Sequence, residues 1–226
     1  MCIIILNKKG KLSEKVLQQA SLSNRDGAGI MYAVNGKIHV RKSLDNNDII
    51  AEYNRVRKDF PDIAIGLHFR IKTDGEIDTA NCHPYKVNEG TYLMHNGILR
   101  DYSGLNTAES DTRLFIHDVL KHIPGKTLLK PYMANLIRQA IGGNNKFLIM
   151  RATGQYLLVN EKVGHYDEAG DNWFSNSSYC SPKKHRSINP INWKCQYCGK
   201  RLKNMHERAS MMCDFCWEYI NTTSKE

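Results

Sequence analysis

Met1-Cys2-Ile3-Ile4-Ile5-Leu6 opens the chain, and its unbroken apolar run, β-branched at three positions, reads as a fully buried strand. The run has no basic stretch before it and is too short for a signal peptide. Aminopeptidases remove an initiator methionine when the next side chain is small, and cysteine is small enough, so a processed chain begins at Cys2. A terminal cysteine carries an α-amino group with a pKa near 8 beside its own thiol, so nucleophile and base share one residue. The free end of this strand is where chemistry is expected. Taken alone, a cysteine at position two also fits the role of a small apolar residue.

Working outward, Leu12 to Ala20 reads as a short helix. From Gly29 to Lys42 two apolar-rich runs flank Asn35-Gly36, the strongest short-range signal for a hairpin. Asn46 to Phe60 is expected to be helical, Ile63 to Arg70 a strand, and Thr91 to Met94 another that ends at His95-Asn96-Gly97. Ser110 is placed to cap a helix running to about Ile123, and Pro131 to start one ending near Gly142-Gly143. Phe147 to Met150 and Tyr156 to Val159 flank Thr153-Gly154 as a second hairpin. Strands, then two helices in succession, then strands favour a layered α+β domain over a doubly wound sheet.

At 226 residues the chain can bury one full-sized core and carry a small appendage. Its 41% hydrophobic and 24% charged residues are those of a globular protein. No apolar run approaches the roughly 18 residues of a membrane span, so no membrane association and a cytoplasmic location are expected. Of seven cysteines, four form two C-x-x-C pairs, which suits metal thiolates better than disulfides. The formal charge of +9 is concentrated between Lys183 and Arg208, where eight lysines and arginines stand against Glu207 alone. Such a segment can meet nucleic acid or simply keep a protein soluble.

Several short motifs follow Cys2 in order. They are Asp26-Gly27-Ala28-Gly29-Ile30, then Gly66-Leu67-His68-Phe69-Arg70-Ile71-Lys72-Thr73-Asp74-Gly75, Asn81-Cys82-His83-Pro84, His95-Asn96-Gly97-Ile98 and Glu109-Ser110-Asp111-Thr112. With the Met1-Cys2-Ile3 start, their order and spacing resemble class II glutamine amidotransferases of the N-terminal nucleophile hydrolase superfamily, whose counterparts read D-S-A-G-I, H-T-R-W-A-T-H-G, N-A-H-P, H-N-G-I and E-S-D-T. The resemblance covers roughly Cys2 to Tyr179 and implies a four-layer αββα sandwich.

Cleaving an amide through a thioester needs a nucleophile, an oxyanion site and clamps for the two ends of the substrate. The resemblance implies that Cys2 attacks the glutamine carboxamide, and that the Asn96 side chain and the Gly97 backbone N–H hold the oxyanion. It further implies that Arg70, helped by Thr73, binds the α-carboxylate, where a guanidinium fork offers two parallel bonds, and that Asp111 receives the substrate ammonium. Asp74 stands where the family has histidine, and Ile71-Lys72 replace Trp-Ala; a carboxylate beside the carboxylate clamp leaves room for a different amide substrate. Each residue also has a plainer reading: Arg70 as an ion-pair partner, Asn96-Gly97 as a turn, Asp111 as a charge at a helix start. His68, His83 and His95 are read as structural hydrogen-bonders, because the terminal amine makes a histidine base unnecessary, and Ser175, Ser177 and Ser178 as loop residues.

Cys195-Gln196-Tyr197-Cys198-Gly199-Lys200 followed by Cys213-Asp214-Phe215-Cys216 is a C-x2-C-x14-C-x2-C pattern, close to the spacing of a four-cysteine zinc site. It resembles zinc-ribbon modules, with Cys195, Cys198, Cys213 and Cys216 as ligands of a structural zinc. His206 is a possible substitute ligand, and Trp193, Tyr197 and Trp217 with the surrounding cations could contact nucleic acid or a partner protein. The domains are then 1–182 for the hydrolase-like core, 183–190 for a basic linker and 191–226 for the zinc module. The expected activity is a glutaminase of the amidotransferase type that supplies ammonia to a partner enzyme, since nothing after the core is long enough for an ammonia-accepting synthase. The alternatives are an N-terminal-cysteine amidase acting on another amide, and a non-catalytic nucleic-acid-binding protein with a degenerate hydrolase core.

Overall fold

The computed structural model describes residues 2–72, 75–106, 108–180, 194–195, 198–200, 202, 207 and 212–216. It divides into two units, Met1–Ser181 and Pro182–Glu226. Thr73, Asp74, Trp193, Tyr197, His206 and Trp217 and the segment read as a linker, 183–190, lie outside the described residues.

The apolar opening of the chain forms strand β1 (Ile3–Asn7), buried along its whole length. A helix, α1 (Glu14–Ser23), starts two residues later than the sequence pattern suggests because the Ser13 side chain accepts the Val16 N–H and caps it there. The Asn35-Gly36 hairpin forms as expected between β2 (Ala28–Val34) and β3 (Lys37–Ser43), with both turn residues at positive φ, 52° and 72°. Asp45 caps α2 (Asn46–Asp59), and β4 (Ile65–Phe69) follows. These elements build a six-stranded sheet in the order β3-β2-β4-β1, completed by β10 (Asn172–Phe174) and β9 (His165–Tyr166).

A second sheet has the order β5 (Tyr85–Asn88), β6 (Thr91–Asn96), β7 (Lys146–Arg151), β8 (Tyr156–Val159). Strands β5, β9 and β10 are short, lack the unbroken apolar run that marks β8, and were not visible in the sequence. The helix expected from Ser110 to about Ile123 is shorter: α3 (Asp111–Asp118) gives way to a 3-10 turn at Leu120–His122. Pro124 forces Ile123 into extended backbone, so a continuous helix is blocked. The Ser110 hydroxyl donates to the Tyr85 hydroxyl at 3.0 Å instead of capping. A short α4 (Gly125–Leu128) precedes α5 (Pro131–Ile141), which ends at Gly142 as read from the sequence.

Alternation along the strands distributes the apolar side chains over three clusters. Ile3, Ile5, Ile30, Leu67 and Phe69 pack with Leu17, Ile49, Tyr53 and Val56 of α1 and α2. On the opposite strand faces, Ile4, Leu6, Met31 and Trp173 meet Met94, Leu148 and Met150 of the second sheet. Leu93, Phe147 and Ile149 pack in turn with Phe115, Ile137 and Ile141 of α3 and α5. β1 is apolar on both faces because it lies between two of these clusters. The fold is a mixed α and β arrangement of two antiparallel sheets, and no helix among the described residues is long and apolar enough to cross a membrane.

Candidate active site and metal centre

Pairing of β1 with β4 sets Ile3 opposite Phe69, so Cys2 and the Arg70-Ile71 segment leave the sheet side by side. The Cys2 thiol donates to the Ile71 carbonyl at 3.3 Å and its sulfur accepts the Ile71 N–H at 3.4 Å. Strand β6 of the other sheet delivers Asn96, whose Nδ2 donates to the Cys2 carbonyl at 2.5 Å. Asn176, just after β10, donates to the same carbonyl at 2.7 Å and to the Asn96 side-chain oxygen at 3.4 Å. Residues read from three separated motifs thus converge at the start of the chain.

The turn after Asn96 depends on glycine. Gly97 has φ 148°, and a Cβ there would overlap Asn145 Oδ1. That oxygen accepts from His95 Nε2 at 2.9 Å, while His95 Nδ1 is 2.7 Å from the Thr112 hydroxyl. Asp111 sits one residue earlier at the start of α3: its Oδ2 accepts the Leu99 N–H at 2.6 Å and its Oδ1 the Thr112 N–H at 2.6 Å. Asp111 therefore holds the far end of the Asn96-Gly97-Ile98-Leu99 turn. A cleft of about 670 Å³ opens beside this turn, lined by Cys2, Asn96, Gly97 and the end of α5. Among the described residues its lining includes neither Arg70 nor Asp111.

Electrostatics separate the cysteine from the histidines. Burial pushes the Cys2 thiol above its ordinary value, opposed by the Ile71 hydrogen bond and the Arg70 charge. Burial pushes His68 down to about 3 and His83 well below its ordinary value, so both rings are neutral. His95 is lowered by burial too, with the Asp111 charge opposing. His68 Nε2 lies 3.0 Å from the His95 carbonyl, and His95 has the two partners named above, as expected of structural hydrogen-bonders. His83 differs: it packs at a tilt between His68 and Tyr85, and neither ring nitrogen has a hydrogen-bond partner among the described residues.

Asp26 and Arg70 lock their strand ends together, the Asp26 N–H donating to the Arg70 carbonyl at 2.9 Å and the Arg70 N–H to the Gly27 carbonyl at 2.8 Å. Asn176, Asn145 and Thr112 were not singled out in the sequence as parts of this arrangement. Asn145 and Asn176 lie in polar stretches that read as loops, and no local pattern announces that they reach residues dozens of positions away. Ser175 is likewise structural, its hydroxyl accepting the Ile4 N–H at 2.8 Å.

In the second unit, the Sγ atoms of Cys195, Cys198, Cys213 and Cys216 all lie within 4.8 Å of one another. A tetrahedral centre with metal–sulfur bonds of about 2.3 Å has sulfur–sulfur edges of about 3.8 Å, and Cys198 and Cys213 are 3.7 Å apart. Gly199, at φ 70°, turns the first pair so that its N–H reaches the Cys195 carbonyl at 2.8 Å. Burial and contacts from the other three sulfurs push the Cys216 thiol up to about 12; a bound cation reverses that preference by stabilising the thiolates. The four residues fit a metal ion.

No protein-family model matches the chain, and no curated protein matches it significantly. Several solved structures are similar to it, two of them as follows. Glutamine phosphoribosylpyrophosphate amidotransferase from B. subtilis aligns at 19% identity and a TM-score of 0.48, over 77% of this chain and 41% of that one. A glutamine aminotransferase class-II domain protein from Silicibacter pomeroyi aligns at 13% identity and a TM-score of 0.37, over 76% of this chain and 87% of that one. This chain therefore spans less than half the length of the first.

Proposed function

We propose that the chain is a glutaminase of the class II amidotransferase type, built on a four-layer αββα core, that works through Cys2 after removal of Met1. The observation that carries the reading is the Asn96 side chain on the Cys2 carbonyl, with Gly97 next to it. An Asn side chain has two N–H groups; one holds Cys2, and the other, with the Gly97 N–H, is free to meet an oxyanion formed above the sulfur. The Cys2 sulfur attacks the carboxamide carbon, its proton passing through the liberated α-amine to the departing ammonia. Water then adds to the thioester, releasing glutamate and returning the proton to the thiol. The Ile71 N–H on the sulfur stabilises the thiolate that burial disfavours.

Arg70 is the carboxylate clamp in this reading, assisted by Thr73, and Asp111 receives the ammonium. Asp111 already accepts two backbone N–H groups and the Thr112 hydroxyl, yet a carboxylate has about four acceptor sites, so about one is left for the ammonium. Ammonia released here is used by a partner enzyme. The four cysteines hold zinc; a four-thiolate site has no open coordination position, so the metal shapes the C-terminal module and takes no part in hydrolysis. The test is glutamate release from glutamine by the processed chain. Turnover that disappears in Cys2→Ala and in protein retaining Met1, with Cys2 labelled by a glutamine-analogue electrophile, is the expected result. A processed chain that neither turns over glutamine nor takes the label removes the reading.

A second reading, an N-terminal-cysteine amidase on another amide, draws support from the cleft beside Cys2, whose described lining excludes both proposed clamps. A panel of amides separates the two, since only the clamps differ.

A further inference from the structure

A second cleft, of about 370 Å³, has no part in the reading above. Its charged lining is all cationic: Lys42 at the end of β3, Lys86 on β5, Arg113 on α3 and Lys121 in the following 3-10 turn. Tyr85, Val87 and Ile116 supply aromatic and apolar wall. Two of the cations are already paired at the rim, Lys86 with Glu89 at 2.9 Å and Arg113 with Glu109 at 2.6 Å. Arg113 keeps further N–H donors, because a guanidinium has five.

Lys42 is the unusual member. Its ammonium lies 4.8 Å from the centre of the Tyr85 ring, and no hydrogen bond or ion pair to it occurs among the described residues. Burial pushes it down to about 8, Arg113 repels it, and only Asp78 and the Cys82 sulfur oppose this electrostatically. Among the described residues this half-desolvated ammonium has a ring face against it, a cation in Arg113 that repels it, and Asp78 and Cys82 only at a distance beyond hydrogen bonding, so a close anion would complete its surroundings. Beneath it, Tyr85 rests on His83, whose ring nitrogens are also without partners among the described residues.

We propose that this cleft binds the phosphate group of a small organic phosphate, with Lys42, Arg113 and Lys121 on the phosphate oxygens and the apolar wall against the organic part. Several charge-assisted donors converging from three elements suit a compact dianion. The volume accommodates a sugar phosphate or a mononucleotide and is too small for a folded macromolecule.

The test uses the full chain and titration calorimetry with matched probes: ribose 5-phosphate against ribose, and AMP against adenosine. Saturable binding of a phosphorylated probe, absent with its unphosphorylated partner, is expected; whether ribose 5-phosphate or AMP is tighter reports which kind of organic group the wall accepts. Lys42→Met and Lys121→Gln each weaken binding at least tenfold, and Lys58→Gln, on another surface, leaves it unchanged. Lys121→Gln guards against misfolding in the Lys42 variant, and melting curves verify that both are folded. Absence of saturable binding to either phosphorylated probe, or binding that both cleft variants retain, overturns the proposal. So does equal loss in Lys58→Gln, which marks nonspecific attraction to a basic protein, or binding confined to oligonucleotides. Glutamine turnover is not read, so this result stands apart from that of the amidase assay.

Discussion

Cys2 and Lys42 show how burial tunes single groups in opposite senses. Burial disfavours the Cys2 thiolate, so alkylation of Cys2 by iodoacetamide in protein retaining Met1 should climb with pH beyond the ordinary thiol value near 9. Removing the Arg70 charge, as in Arg70→Gln, should move that rise further up; a rise at or below the ordinary value contradicts the geometry. Lys42 is lowered from 10.5 to about 8, so the folded state binds fewer protons than the unfolded state between these values. Its destabilising effect is fully present below pH 8 and fades as pH rises toward 10.5. Lys42→Met should therefore add about 1–3 kcal/mol of stability at neutral pH, measured by urea unfolding, with the gain shrinking in alkali. Asn96→Ala should lower turnover about 10²–10³-fold, as loss of one oxyanion donor does elsewhere, with a much smaller effect on the melting temperature. Cys2, Asn96 and Arg70 drew attention in the sequence because they sit in short motifs, and Asn96 does reach the Cys2 carbonyl. Asn176 drew none, because its contact with Cys2 joins positions 174 residues apart.

Elements place these residues by register. A one-residue slip between β1 and β4 would turn the Cys2 end away from Ile71 and invert every buried face. Two glycines allow close approach between elements beside this site. Gly29 on β2 lies against the His83 carbonyl, where a Cβ would overlap backbone oxygen. Gly29→Ala should cost about 3 kcal/mol, seen as a lower denaturant midpoint with an unchanged slope. Gly97→Ala combines positive-φ strain with overlap on Asn145, so it should displace the turn and impair catalysis more than folding, by about 1–2 kcal/mol in stability. Long elements were readable: β1, the Asn35-Gly36 hairpin, α2 and α5 follow from period and turn chemistry. The 3-10 break after α3 and the short strands β5, β9 and β10 were not, because two to four residues carry no period unless, as with β8, a turn signal and an unbroken apolar run mark them, and they gain their hydrogen bonds from neighbours already in place.

At the scale of the whole chain, the two units rest on different physics. The first buries three apolar clusters; among the described residues of the second there is one small cluster around Cys195, Leu202 and Cys213, beside four sulfurs close enough to share a metal ion, and in the reading proposed above that ion staples the unit. A strong chelator should therefore release one metal ion per chain, read by native mass spectrometry, and expose four titratable thiols, while amide turnover stays within about twofold because the four-thiolate site offers no reacting position. Loss of turnover on chelation would tie the metal to the chemistry and remove the structural assignment. The linear sequence by itself determined the chemistry available: a cysteine at the start, four more at metal spacing, and apolar periods that specify strands and helices through local sterics. Only the tertiary structure decided that Asn96, Asn176 and Ile71 meet at Cys2, and that Lys42, Arg113 and Lys121 share one cleft. Such meetings arise from packing and strand pairing between distant segments, and no local period encodes which segments will be neighbours.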